Sequence, residues 1–278
     1  MPVLPPEFAR SILTATHLKL DHPKPTQMGK LVFRSFCALK VKNMIKELFE
    51  ACYICQADKV PSEHSEHFQT GSKPPCPGSY WTCDVMKHGK KNILVCTENF
   101  SSFTVCKILP SEKHIDCENA IISSIFPFKI ASGKVNIRVD TAPGMSAIIN
   151  RSSDDLQKAD IFLEPGHAKN KNSLGKVDKT TAELRSILRT LSPEGSPLSN
   201  LDLQRAVETL NTRIRSSNLS AREIMFSRLQ NSNENITLDD LAISNALFDQ
   251  RIKANNYVNK SSNDFKPCGK PIFIPSSS

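Results

Sequence analysis

Residues 79–109 read SYWTCDVMKHGKKNILVCTENFSSFTVCKIL. Apolar and polar side chains alternate through SYWTCDVM, HGKKN makes a turn, and NILVCT and FTVCKIL follow as two further short apolar runs. A period of two broken by a Gly- and Lys-containing turn predicts three antiparallel strands. Downstream, ENAIISSIFPF is helix-like, and VNIRVD is a short apolar strand that ends on Asp140. PGMSAIINRSSDDLQ opens on Pro-Gly and turns helical, and ADIFLE is another strand. TTAELRSILRTL is a helix with Leu184, Ile187, Leu188 and Leu191 on one face. Three strands, then helix, strand, helix, strand and long helix, predict an α/β domain with a mixed sheet over residues 76–215.

Upstream, residues 1–59 form a small module in which 11–56 read as two or three short helices. In KVKNMIKELFEAC, Ile45, Leu48, Phe49 and Cys52 recur at helical spacing. Residues 60–75 are rich in Pro, Ser and Gly and read as a linker. A helix in LDLQRAVETLNTRI closes the α/β domain, and another in DDLAISNALFDQRIKANN lies in a helical extension over 216–258. Residues 259–278 are rich in Ser, Pro and Lys and are expected to be disordered.

Of the 278 residues, 39% are hydrophobic and 23% charged, which suits a folded chain and excludes a wholly disordered one. Lys and Arg outnumber Asp and Glu by 36 to 28, and the net charge of +8 favours polyanionic partners. Aromatics are only 6%, with one Trp, so recognition by base stacking has little support. The N-terminus lacks a basic segment followed by an apolar one, and no apolar run approaches the roughly 20 residues of a membrane span. The nine cysteines, odd in number and irregularly spaced, are expected to be reduced in an intracellular protein, nuclear or cytoplasmic.

Cys52-Tyr-Ile-Cys55 is a C-x-x-C, which alone fits a zinc half-site, a redox pair or two ordinary cysteines. A redox pair follows a strand and opens a helix, whereas this pair closes one. Upstream, His17 and His22 have four residues between them, a spacing that puts them near one face of a helix, and Pro23 follows. The whole set, H-x4-H-x29-C-x2-C, supplies the four soft ligands of a structural Zn²⁺. Such a module has too small a core to hold itself, so the metal supplies the missing stability. Chelation is then expected to unfold residues 11–56 and spare the α/β domain. The remaining cysteines, Cys83 and Cys96 among them, read as strand or core residues, and His64 and His67 as solvated linker residues.

The HHCC set, the W-T-C-D at 81–84 and the R-V-D-T-A-P-G at 138–144 together resemble the integrase region of Gypsy-type LTR retrotransposon polyproteins. ENFSSFT, NKN and LSAREIMF add softer support, so the resemblance covers nearly the whole chain. It implies a ribonuclease-H-like core, a mixed five-stranded sheet flanked by helices, preceded by the small helical HHCC zinc-binding module. It also implies DNA as partner, a homo-oligomer, and joining of DNA 3′ ends to a target with Mg²⁺ or Mn²⁺. Two such ions, held about 3.5–4 Å apart, need oxygen ligands from several elements. Asp84 matches the family's first carboxylate and Asp140 its second, with fifty-five residues between them.

At the third carboxylate the chain departs from the pattern. The family places a Glu at the start of the long helix, after thirty-five intervening residues, and that position is Lys176. A Lys cannot ligate a divalent cation and would bring positive charge into the pocket. Asp178, two residues on, replaces the Glu if the turn before the helix loops out. Two residues along a helix rotate a side chain by about 200°. If the helix already runs through both positions, Asp178 is expected to point away. The displaced carboxylate predicts impaired catalysis, and relatives continue into a β-rich DNA-binding domain where this chain has a Ser-rich tail, which reads as truncation. The alternative is a non-enzymatic module that keeps the fold for DNA binding or self-association. Lys169, Lys171, Lys176 and Lys179 flank the site and suit phosphate-backbone contacts, as do Lys87, Lys90 and Lys91 in the first hairpin. Arg213, Arg215 and Arg222 read as solvated surface.

Overall fold

The structure is a computed structural model. It describes residues 2–57, 76–129, 133–140, 143–151, 154–166, 175–193, 196–214, 219–232 and 234–236. The expected linker with His64 and His67, Lys169, Lys171, Arg215, the second downstream helix and the Ser-rich tail lie outside the described residues.

The quoted stretch forms three antiparallel strands, β3 (Tyr80–His88), β4 (Lys91–Glu98) and β5 (Thr104–Leu109). Gly89 takes the positive φ that the tight turn between the first two requires. β6 (Val135–Val139) and β7 (Ile161–Pro165) add in parallel on the other side of β3, giving the order β5-β4-β3-β6-β7. Alternation along β3 and β4 sorts side chains into two layers. Trp81, Cys83, Leu94 and Cys96 pack with α5 (His114–Ile125) and α6 (Pro143–Arg151). Met86, Ile93, Val95 and Cys106 pack with α8 (Gly175–Leu191) and α9 (Asn200–Thr212). Between those helix pairs, α7 (Asp154–Lys158) precedes β7. This is the mixed five-stranded sheet flanked by helices, ribonuclease-H-like, that the sequence led us to expect. Ala221 and Met225 of α10 (Ala221–Phe226) also pack into the first layer, so the fold runs past the boundary expected at 215.

Two polar devices finish the sheet. Fully buried Glu98 accepts the backbone N–H groups of Phe100 and Ser101 at 2.9 and 2.5 Å, which folds ENFSSFT into a closed turn. At edge strand β5, the buried Asn211 amide of α9 accepts the Thr104 N–H and donates to the Thr104 carbonyl, each at 2.8 Å. It stands where a neighbouring strand's backbone would.

Four helices build the N-terminal module: α1 (Pro6–Lys19), α2 (Pro25–Ser35), α3 (Val41–Ala51) and α4 (Tyr53–Ala57). The expected two or three become four because extended backbone at Cys52 ends α3 before the short α4. A short parallel pair, β1 (Val3–Leu4) with β2 (Cys37–Ala38), ties the chain start to the module. Ala9, Leu13, Met28, Val32, Phe36, Val41, Met44 and Ile45 form its core. Among the described residues no helix is long and apolar enough to cross a membrane.

Candidate active site and metal centre

The four sequence-predicted zinc ligands meet. His17 Nε2 and His22 Nδ1 lie 3.0 Å apart, and the Cys52 and Cys55 sulfurs lie 3.1 and 3.5 Å from His22 Nδ1 and His17 Nε2 respectively. All four ligand atoms fall within 4.8 Å of one another. A tetrahedral Zn²⁺ with bonds of about 2.0–2.3 Å sets its ligands about 3.3–3.8 Å apart; the donor set suits that ion, and small side-chain adjustments would bring the separations into that range. Burial, then the neighbouring His22, lowers the His17 pKa and favours the neutral imidazole that a metal needs.

Helical spacing is not what brings the histidines together. α1 ends at Lys19, and Asp21 and His22 both adopt left-handed backbone, with φ of 52° and 58°. The His22 N–H returns to the His17 carbonyl at 2.9 Å, and this reversal swings the second imidazole back over the first. Right-handed helix is disfavoured at the residue before a proline, and Pro23 follows His22. The expected common helical face is therefore replaced by a helix end plus a reversal.

The carboxylates gather at the other end of the fold. Asp84 projects to the α8 side of β3, with Thr82 and Met86 before and after it on that face. Cys83 pairs with Val139, so Asp84 and Asp140 come next in register on adjacent parallel strands. Asp84 is inside β3 rather than at its end, where it was expected; only its pairing with β6 ends there. The Val85 N–H donates to Asp84 Oδ1 at 2.8 Å and fixes that side chain. Burial pushes the Asp84 carboxyl up; the Val85 N–H opposes this, the Asp140 charge adds to it, and Arg185 opposes it. For Asp178, burial and then the charges of Asp84 and Asp140 push the pKa up. The three aspartates therefore share one electrostatic site.

α8 (Gly175–Leu191) runs through both Lys176 and Asp178, and the turn before it lies outside the described residues. Under that condition Asp178 was expected to turn away. The reverse holds. The Lys176 ammonium donates to the Asn99 carbonyl in the β4–β5 turn, while Asp178 lies within the field of the other two acids. The two side chains do diverge, but Val177, Thr181, Leu184 and Leu188 pack α8 on the sheet and thereby set which one faces the acids. Lys176, at the family's Glu position by count and expected to contact phosphate, pins the start of α8 through the Asn99 carbonyl.

Among the described residues, only the His/Cys set closes tightly enough for a single ion; the three aspartates are more open. Sequence reading missed Arg185 and Arg189. They share an exposed stripe of α8 with Asp178 and Ala182, along with neighbouring exposed Lys179. Spacings of seven and eleven residues from Asp178 carry that signal, and it becomes readable once Asp178 is assigned to the site. Arg213, expected on solvated surface, is half-buried and acts on Asp21 of the zinc module.

No family model and no curated protein matches the chain. Among solved structures, the catalytic core domain of BIV integrase is similar with a TM-score of 0.44 at 20% identity, over 53% of this chain and 93% of that chain. At that level the likeness leaves the site to its own geometry.

Proposed function

We propose that the chain is an integrase-like protein of LTR-retrotransposon origin that binds DNA and carries a divalent-metal site for strand transfer. Asp84, Asp140 and Asp178 would hold Mg²⁺ or Mn²⁺. The observation that carries this reading is that Asp84 and Asp140 come next in register on adjacent strands, and that Asp178, two positions beyond the family's Glu, has its carboxyl raised by burial and then by the charges of those two. Three mutually repelling carboxylates on separate elements suit a cation that neutralises them. Such ions activate the attacking oxygen and stabilise the leaving one. The chain's own groups do the rest. The Val85 N–H orients Asp84. Lys176, through Asn99, holds the first turn of α8 against the sheet. Exposed Lys179, Arg185 and Arg189 bind phosphates along α8. The His/Cys set would hold a structural Zn²⁺.

A strand-transfer assay with Mn²⁺ tests the reading. Wild type is expected to be active and Asp178→Asn inactive. Asp178→Glu, one methylene longer, is expected to exceed wild type, and Lys176→Glu is not expected to help, because that side chain leaves the site. A second reading, a DNA-binding module without catalysis, is favoured by the openness of the aspartate trio compared with the His/Cys set. Salt-sensitive duplex binding with no joining by wild type or by Asp178→Glu would establish it.

A further inference from the structure

We propose that the face formed by α9 and α10 is a docking surface for the zinc-loaded N-terminal module, so that zinc binding in the module stabilises the α/β core. The strongest contact is an ion pair from α2 to α10. Arg34 donates to both oxygens of Glu223, at 2.9 and 3.2 Å. Glu223 is fully buried, while the Arg34 side chain keeps 23% exposure. Glu223 also accepts the backbone N–H groups of Ser220 and Gln230, at 2.8 and 3.2 Å, so the core holds the carboxylate rigidly. Among the described residues its counterion comes from the module. A buried carboxylate that loses its cation is strongly unfavourable.

Next to the metal ligands, Asp21 precedes His22, and both hold left-handed backbone. Asp21 Oδ2 is buried and without a hydrogen bond. The reversal thus places a buried carboxylate beside a zinc ligand. Without the ion, the reversal keeps the His22 and Asp21 N–H bonds to the His17 and Leu18 carbonyls, but the small helices that present Arg34 lose the tie that the His and Cys set supplies. Glu223 is then left alone.

Trp81, the only tryptophan, makes the test specific. It is fully buried in the α/β core, its indole N–H donates to the Gly78 carbonyl at 3.1 Å, and the module has none. Its fluorescence therefore follows the core alone during thermal unfolding of the full chain. Zinc chelation is expected to lower the Trp81 midpoint by about 5 °C or more. Cys52→Ser is expected to reproduce the fall without chelator. In Glu223→Gln, which has no buried charge to strand, the chelator shift should be less than half that of wild type. Arg34→Met, already lacking the counterion, should likewise respond weakly to chelator from a lower starting midpoint. The proposal is overturned if chelation removes helical circular dichroism and leaves the Trp81 midpoint in place. It is equally overturned if the purified protein holds no zinc, or if either variant keeps the full shift.

Discussion

Single aspartates act against folding and for chemistry. Asp84 and Asp178 have pKa values above the usual 3.8 because burial and neighbouring acids disfavour their charged forms. A carboxyl raised in the folded state favours folding below its unfolded pKa, and that contribution is lost as pH rises through the folded value. As pH rises through the folded values both ionise at a cost. Asp84→Asn should therefore raise the thermal midpoint at about pH 7, and the gain over wild type should shrink towards about pH 4. Melting curves at the two pH values check this, and a lower midpoint for the Asn variant at neutral pH would count against an electrostatically strained site. Millimolar Mn²⁺ should stabilise wild type, by about 1.4 kcal/mol at ten times its dissociation constant, and stabilise Asp84→Asn less. Differential scanning with and without the ion reads that difference.

Elements differ in how openly the sequence declares them. β3 was readable because it alternates, β4 and β5 because each is a short apolar run, and all three because they lie between polar turns. The helical face of α8 was readable from Leu184, Ile187 and Leu188. Two features were not. The His17–His22 spacing suggested a shared helical face, but α1 ends at Lys19 and the chain reverses at Asp21 and His22 before Pro23. The face carrying Asp178 depends on how Val177 and Thr181 seat α8 on the sheet, which counting from Asp140 cannot supply. Asn211 belongs with these. In sequence it is an ordinary polar residue in a helix, and its role appears only when β5 lies alongside α9. Asn211→Ala would leave the Thr104 N–H and carbonyl buried and unmatched, and is expected to cost about 2–4 kcal/mol, read as a lower urea midpoint. On the exposed side of α8, replacing Arg185 and Arg189 together by Ala should reduce the slope of log affinity against log salt for duplex DNA by about 1.8. An unchanged slope would remove that stripe from the DNA path.

At the scale of the molecule, the N-terminal module and the sheet have separate apolar cores among the described residues and are joined by the Arg34–Glu223 ion pair. Burial pushes Glu223 up, but the Arg34 hydrogen bonds and the Ser220 and Gln230 amides outweigh it, and its pKa falls below the usual 4.5. A depressed carboxyl stabilises above its unfolded pKa and loses that contribution as pH falls through the folded value. Wild type should therefore lose more stability than Glu223→Gln between about pH 5 and about pH 3, measured by the Trp81 transition. The same ion pair bears on how such a gene drifts. Substitutions at Asp84, Asp140 or Asp178 relieve repulsion and leave the fold sound. On the proposed coupling, a substitution at His17, His22, Cys52 or Cys55 would strand the Glu223 charge in the core. In a lineage no longer selected for strand transfer, the aspartates are free to erode first, while the His and Cys set persists for as long as the folded protein is of any use.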